Sequence, residues 1–523
     1  MSRSLLLVPL GISCLFLTAC GGKKGADGRV ALQQAPMGKR AALLVGVNQH
    51  HLPPHEEKGN TEEYARIVEN PFQLAKTTPL STFSIDVDTA SYSNVRRYLN
   101  IGRRPPKDAV RIEEMINYFS YAYPEPKGKH PVSITTDLVN CPWAPKHHLA
   151  RIALRAKSMD PEEMPPRNLV FLLDTSGSMS SANKLPLLKR ALSLLVTQLD
   201  AQDRVAIVTY AGSAGVALPS TPGDQRQRIL KAFDDLNASG STNGSQGIHL
   251  AYDIALKNFL EGGLNRVILG TDGDFNIGVS DTGALTRLIE QKRKAGVYLS
   301  VLGLGMGNIK DSRLESLAHH GNGHYAYLDN DMEAHKLFVE QGGALFTVAN
   351  DVKLQIEFNP TKVQAYRLIG YENRLMKAQD FNDDKKDAGD MGSGHTVTAL
   401  YEIVPHGVKI DIPGVDPLKY QKPSKPVDSK EWLTVKLRYK EPGQMQSQLL
   451  SRVLSGEPLR FDDASNDFRF AVSVAAFGQI LRDSKYKGQI TLEEVRKIAT
   501  SSADVDKHRL GFLDLIRKAE LLK

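Results

Sequence analysis

Cysteine is nearly absent from this chain: Cys14, Cys20 and Cys141 are the full set. Cys14 falls inside an apolar N-terminal stretch and Cys20 directly after it, so if that stretch is a removable leader and Cys20 is modified, Cys141 stands alone. No internal disulfide can then form, and stability has to come from packing. Long apolar runs are scarce too. The one at residues 5–17 is too short for a permanent membrane helix, and nothing later in the chain suggests a polytopic membrane protein. There is no large excess of charge of one sign, since 66 Lys and Arg face 59 Asp and Glu for a formal balance of +7. Basic pairs such as Arg96-Arg97 and Lys385-Lys386 are scattered and read as solvated surface, so nucleic acid is not an expected partner. A Gly-x-Ser-x-Gly elbow is missing, and no histidine is placed by sequence to activate Cys141, which reads as a small buried residue.

What is present is ordinary globular composition, 41% hydrophobic and 24% charged, over 523 residues. That length leaves room for about three domains. Residues 1–19 read as a secretory signal, with Arg3 before the apolar run and Leu17-Thr18-Ala19-Cys20 at its end. Those last four residues resemble the bacterial lipobox, which implies a diacylglycerol on Cys20 and attachment to a membrane through this N-terminal lipid. Gly21, where an inner-membrane retention signal would carry aspartate, favours the outer membrane if the source is Gram-negative. Residues 20–80 are expected to form a tether.

From residue 81 to 166 an α+β flanking region is expected, with strand-like alternation at 83–87, helices at 91–99 and 111–119, and strands at 132–138 and 149–155. Asp86-x-Asp88 imitates the metal-binding pair of some glycosyltransferases, but a strand end leading into a helix is the simpler reading. Residues 167–348 alternate strand and helix, starting with the continuous apolar run Leu169 to Leu173, as a central parallel strand covered on both faces requires. The expectation is an α/β, doubly wound, mostly parallel sheet of the Rossmann-like kind. Residues 349–445 read as β-rich, and 446–523 as a helical C-terminal region. Strands lie on both sides of the α/β block, so the block is expected to be either flanked by β-rich regions or inserted in a single β-rich domain. The aspartate-rich stretch 379–394 lacks calcium-ligand spacing and reads as a solvated loop.

The chemistry concentrates where the apolar strand ends. Asp174-Thr175-Ser176-Gly177-Ser178 places an acid and two hydroxyls on alternate positions of one loop. In an open α/β sheet, ligands gather at the carboxyl ends of strands, and two further segments should arrive there: Gly240-Ser241-Thr242 ahead of a helix, and Thr271-Asp272-Gly273 after a strand. Two carboxylates and three hydroxyls form a hard, all-oxygen donor set. It suits magnesium first, then manganese or calcium, and does not suit zinc. With only two formal negative charges the ion stays unsaturated and can accept a carboxylate from outside.

These residues resemble the metal-ion-dependent adhesion site of the von Willebrand factor A (vWA) family, with Asp174, Ser176 and Ser178 as the Asp-x-Ser-x-Ser element, Thr242 as its threonine and Asp272 as its second aspartate. The resemblance implies that Ser176, Ser178 and Thr242 touch the metal and that the aspartates act largely through water. Together with the lipobox, the arrangement is similar to bacterial vWA-domain lipoproteins carrying an N-terminal flanking domain and a C-terminal domain of unknown function. The expected role is a cell-envelope binding protein and not an enzyme, its partner a protein that offers an acidic residue. A metal-dependent enzyme or enzyme subunit, with Asp274 as its nearest base, and a purely structural ion are the alternatives. Asp272 to Gly283 fails as a calcium loop because Gly283 stands where glutamate is needed, and Gly303-x-Gly305-x-Gly307 with Asp329 is an incomplete dinucleotide fingerprint. The pairs His50-His51, His147-His148 and His319-His320 lack a third zinc ligand at suitable spacing.

Overall fold

The computed structural model describes residues 60–522 apart from 86–87, 242–243, 274–281, 411 and 413–428. The expected signal peptide, most of the expected tether, Cys20, Thr242 and Asp274 lie outside the described residues.

The α/β block is a six-stranded sheet. Its strand Arg167–Asp174 lies centrally, with Leu264–Thr271, Val297–Leu304 and Tyr325–Leu328 stepping away on one side and Arg204–Tyr210 and Ala214–Pro222 on the other. All pairings are parallel except the last, an antiparallel edge strand. The sequence reading had no strand at 214–222. Its alternation is broken by Pro219 and Gly215 and only Leu218 and Thr221 are buried, so the periodic signal is weak. The continuous apolar run is explained by packing on both faces: Leu169, Phe171 and Leu173 enter one core with the helix Leu185–Val196, while Val170 and Leu172 enter the other with the helix Gly244–Lys257. After the last strand the chain forms no single continuous helix but a short α-helix Asp331–His335, a π turn Lys336–Glu340 and a 3-10 turn Gly342–Leu345. Gly342 and Gly343 favour that break.

Two antiparallel sheets surround the chain ends of this block. One runs Gln73–Leu74, Val363–Ile369, Thr396–Pro405, His148–Ala156, Val132–Asn140; the other runs Leu375–Met376, Leu80–Ser84, Thr347–Phe358, Glu431–Lys440, Gln448–Ser455. Their facing residues, among them Ile152, Tyr401, Phe83, Ile356 and Val435, share one core. Each sheet takes strands from before and after the α/β block, so the block is inserted in a β sandwich, one of the two expected arrangements. The outer face of the first sheet is covered by the helices Ile112–Asn117, Asn466–Arg482, Leu492–Thr500 and Lys507–Leu521, with Phe470, Phe477 and Phe512 in that core. Cys141 is buried in the same core, and burial pushes its thiol well up.

Three local departures from the expected boundaries have physical causes. Residues 60–80 are held by the fold: Asn70 donates to the Leu368 and Gly370 carbonyls, and Gln73–Leu74 extends a sheet. Residues 448–455, placed in the helical region by sequence, form an edge strand against Glu431–Lys440. The stretch 379–394 is exposed over most of 382–387, as expected of a solvated loop, but it is also pinned through the strand Gly389–Gly392, the Arg293–Asp387 ion pair and the Lys440 Nζ on the Asp384 carbonyl at 2.7 Å. Among the described residues, no helix is long and apolar enough to cross a membrane.

Candidate metal centre

Strand Arg167–Asp174 delivers Asp174 fully buried at its carboxyl end, and the chain then turns sharply. Asp174 Oδ1 accepts from the Ser176 backbone N–H at 2.9 Å and Oδ2 from the Thr271 hydroxyl at 3.3 Å. Ser176 Oγ lies 3.0 Å from Ser178 Oγ. The loop that carries residue 242 is tied to the same place: Gly177 N–H donates to the Gly240 carbonyl at 3.0 Å and Ser239 N–H to the Thr175 carbonyl at 2.7 Å. A Cβ on Gly177 would come within 3.5 Å of that Gly240 carbonyl oxygen. The second aspartate, Asp272, is also fully buried, one residue past the strand Leu264–Thr271 that pairs with Arg167–Asp174. Its carboxylate interacts with Ser178, and its charge acts on Asp174. The structure therefore brings together Asp174, Ser176, Ser178 and Asp272 from two strand ends, and places residues 240–241 against them.

The two carboxyls are held differently. Burial pushes Asp174 above its ordinary range, with the Asp272 charge adding to the rise against the Ser176 hydrogen bonds. Burial works against the Asp272 charge as well, but the Lys184 ammonium, together with Ser178 and Asn308, outweighs it and holds that carboxyl low. Lys184 is the residue sequence reasoning missed. Its Nζ donates to Asp272 Oδ2 at 2.8 Å from just ahead of the helix Leu185–Val196. Nothing in a lone lysine 88 positions from its acid announces such a bond. Room for it comes from Gly305, at φ +79, where a Cβ would fall 2.2 Å from Lys184 Cε.

The rival motifs are used up in packing. Gly305 accommodates Lys184, and the Gly307 N–H donates to Glu62 Oε1 at 2.8 Å. Asp329 pairs with Arg96. Asp88 accepts from the Tyr325 backbone N–H at 2.7 Å and from Arg374 at 3.1 Å; Asp86 lies outside the described residues. Asp88, Glu114 and Glu315 approach one another closely, but Arg111 and Arg374 fill the space between them with ion pairs, so the cluster is a charge network. His147 is bound to Glu402 at 2.6 Å.

The donors fit a hard divalent cation: Asp174, Ser176, Ser178 and Asp272 all offer oxygen, both carboxylates are buried, and the neighbouring Lys184 and Asn308 meet Asp272 as hydrogen-bond partners and not as ligands. Fold and site define a protein built around a vWA domain, and the profile described as "von Willebrand factor type A domain" matches residues 168–341. The profile "von Willebrand factor" matches residues 58–151, and "Uncharacterized protein YfbK, C-terminal" residues 343–522. The chain belongs to the family of "Uncharacterized protein YfbK" of Escherichia coli (strain K12), to which it is 41% identical over 512 residues, covering 95% of this chain and 86% of the relative. "Uncharacterized protein sll0103" of Synechocystis is 31% identical over 186 residues, covering 35% of this chain and 43% of that one. Among solved structures, a von Willebrand factor type A protein from Catenulispora acidiphila aligns over 87% of this chain and 91% of its own, with 15% identity and a TM-score of 0.40. Proximal thread matrix protein 1 from the mussel byssus, with a zinc-occupied adhesion site, aligns over 37% of this chain and 48% of its own, with 22% identity and a TM-score of 0.29.

Proposed function

We propose that this protein is a lipid-anchored cell-envelope protein whose vWA domain binds a partner protein through a divalent cation. Ser176, Ser178 and Thr242 would hold the ion directly, and Asp174 and Asp272 directly or through water. The observation that carries this reading is the convergence of buried Asp174 and Asp272 with Ser176 and Ser178 at adjacent strand ends. When bound, the ion supplies positive charge and an exchangeable ligand position. Lys184 sharpens that role. Two aspartates and one ammonium leave the site with a formal charge of minus one, so a divalent ion makes it plus one and favours an added carboxylate over a neutral ligand. Magnesium is the first choice of ion, with manganese or calcium next. Anchoring would run through diacylglycerol on Cys20, in the outer membrane if the source is Gram-negative, and the role is binding without catalysis.

The deciding experiment is crosslinking and pull-down from intact envelopes, comparing the native chain with Asp174→Ala, each with and without EDTA. The expected result is a partner captured only by the native chain with metal, while circular dichroism shows both chains folded. Capture that survives both treatments would overturn the proposal. A large loss of melting temperature on chelation with no change in capture would instead assign the ion a structural role.

A further inference from the structure

Away from the metal centre, a cavity of about 400 Å³ opens where three parts of the fold meet: the face of the vWA sheet, the turns that follow its last strand, and the loops of the sandwich. It reaches the strands Leu264–Thr271 and Val297–Leu304 through Ile268, Ser300 and Leu302, and none of Asp174, Ser176, Ser178 and Asp272 lines it. The size falls within the ~300–1,000 Å³ of small-ligand sites, which favour such junctions.

Beneath its wall lies an unusual charge. Arg266 is 1% exposed and forms no ion pair among the described residues, with only the Tyr298 ring at 5.6 Å and the Asp390 charge favouring its cation; its Nη1 donates to Ser300 Oγ at 2.7 Å, its Nη2 to the Leu345 carbonyl at 3.3 Å, and its Nε finds no acceptor. Burial pushes this guanidinium down to about 10, outweighing Tyr298 and Asp390, which favour its charged form. A buried charge whose compensation does not outweigh its burial is costly, and a further anion nearby would relieve it. Both acceptors, Ser300 and Leu345, belong to residues that line the cavity. Ser300 is 5% exposed, and its oxygen also receives the His324 backbone N–H at 3.4 Å. With two N–H groups directed at its lone pairs, the Ser300 hydroxyl has its own proton left to donate. The imidazoles of His324 and His395, with ring centroids 6.2 Å apart, line the same cavity. Its two acids are already answered, Asp88 by Arg374 and Glu340 by Lys507 and His508. The remaining wall is apolar, including Phe119, Met159, Met164 and Phe338.

We propose that this cavity binds a small amphipathic monocarboxylate, its head accepting from Ser300 and answering the Arg266 charge, its aliphatic body lying against Phe119, Met159, Met164 and Phe338. A neutral ligand would satisfy the hydroxyl but not the charge.

Decanoate is a suitable probe, with decanol as the same body lacking the carboxylate, each titrated calorimetrically into the full chain and checked by native mass spectrometry. Saturable one-to-one decanoate binding is expected, about tenfold or more tighter than decanol, as a hydrogen bond to a charged group requires. Met164→Trp, which fills the cavity, should abolish binding. Ser300→Ala should bring decanoate down to the decanol level, and Ser300→Thr should preserve the difference. Absence of saturable binding, equal affinity for the two probes, or decanoate binding unchanged in Met164→Trp would each overturn the proposal. Should Ser300→Ala fail to fold, the ratio of the two probes on the native chain and the Met164→Trp result still decide it.

Discussion

Lys184 holds one oxygen of a buried carboxylate that the metal reading also claims, and that double demand has a measurable consequence. Removing the ammonium in Lys184→Met leaves Asp272 buried and uncompensated, which in comparable buried pairs costs about 3–5 kcal/mol. A divalent ion can supply the missing charge. Urea unfolding of Lys184→Met is therefore expected to show a large loss in EDTA and a much smaller one in excess magnesium; equal losses would mean the ion does not reach Asp272. A second residue, Glu62, is tied to Arg97 through two 2.8 Å hydrogen bonds and to Tyr64 at 2.9 Å. Burial opposes its charge, but Arg97 leads the interactions that bring the carboxyl from 4.5 down to about 2. The folded value lies below the unfolded one, so this contribution is fully present above pH 4.5 and fades as pH falls towards about 2. Its full size is about 3 kcal/mol. Denaturation curves of Glu62→Gln should lie below those of the native chain at pH 6 and converge with them near pH 2.

At the scale of elements, the sandwich is built from strands on both sides of the vWA domain, Leu80–Ser84 pairing with Thr347–Phe358 and His148–Ala156 with Thr396–Pro405. Neither flank can close its core alone. Fragments 60–156 and 347–522 are expected to be unfolded apart and to recover β structure by circular dichroism when mixed, and independent folding of either would contradict the insertion. Much of this was legible in sequence. The run Leu169 to Leu173 declared a doubly covered strand, and the patterns at 132–138 and 149–155 declared further strands. Short pairings such as Gln73–Leu74 and Gly389–Gly392 escaped notice because two or four residues carry no period, and their partners are remote. The edge strand Gln448–Ser455 was hidden by exposure, with Leu449 and Val453 facing outward where a core pattern would bury them. The site divides the same way. Asp174, Ser176, Ser178 and Asp272 were readable because backbone turns at strand ends impose their spacing. Lys184 and Arg266 were not, since what each does depends on an element brought in from elsewhere.

Taken as a whole molecule, the chain meets its metal loop sooner than the order of domains implies. Thr61 N–H donates to the Gly307 carbonyl at 2.8 Å, Glu63 N–H to the Ile309 carbonyl at 2.9 Å, and Lys310 Nζ to the Thr61 carbonyl at 2.6 Å. The loop so stitched contains Asn308, which bonds to Asp272, and Gly305, which abuts Lys184. A force applied to the chain ahead of residue 60 is thus borne first by the rim of the cation's seat, before any strand of the sandwich is loaded. Optical-tweezer traces pulled from a handle at residue 58 should show an early rip of a few residues whose force rises with added magnesium. A leash fastened there would work as a strain gauge whose reading depends on the ion.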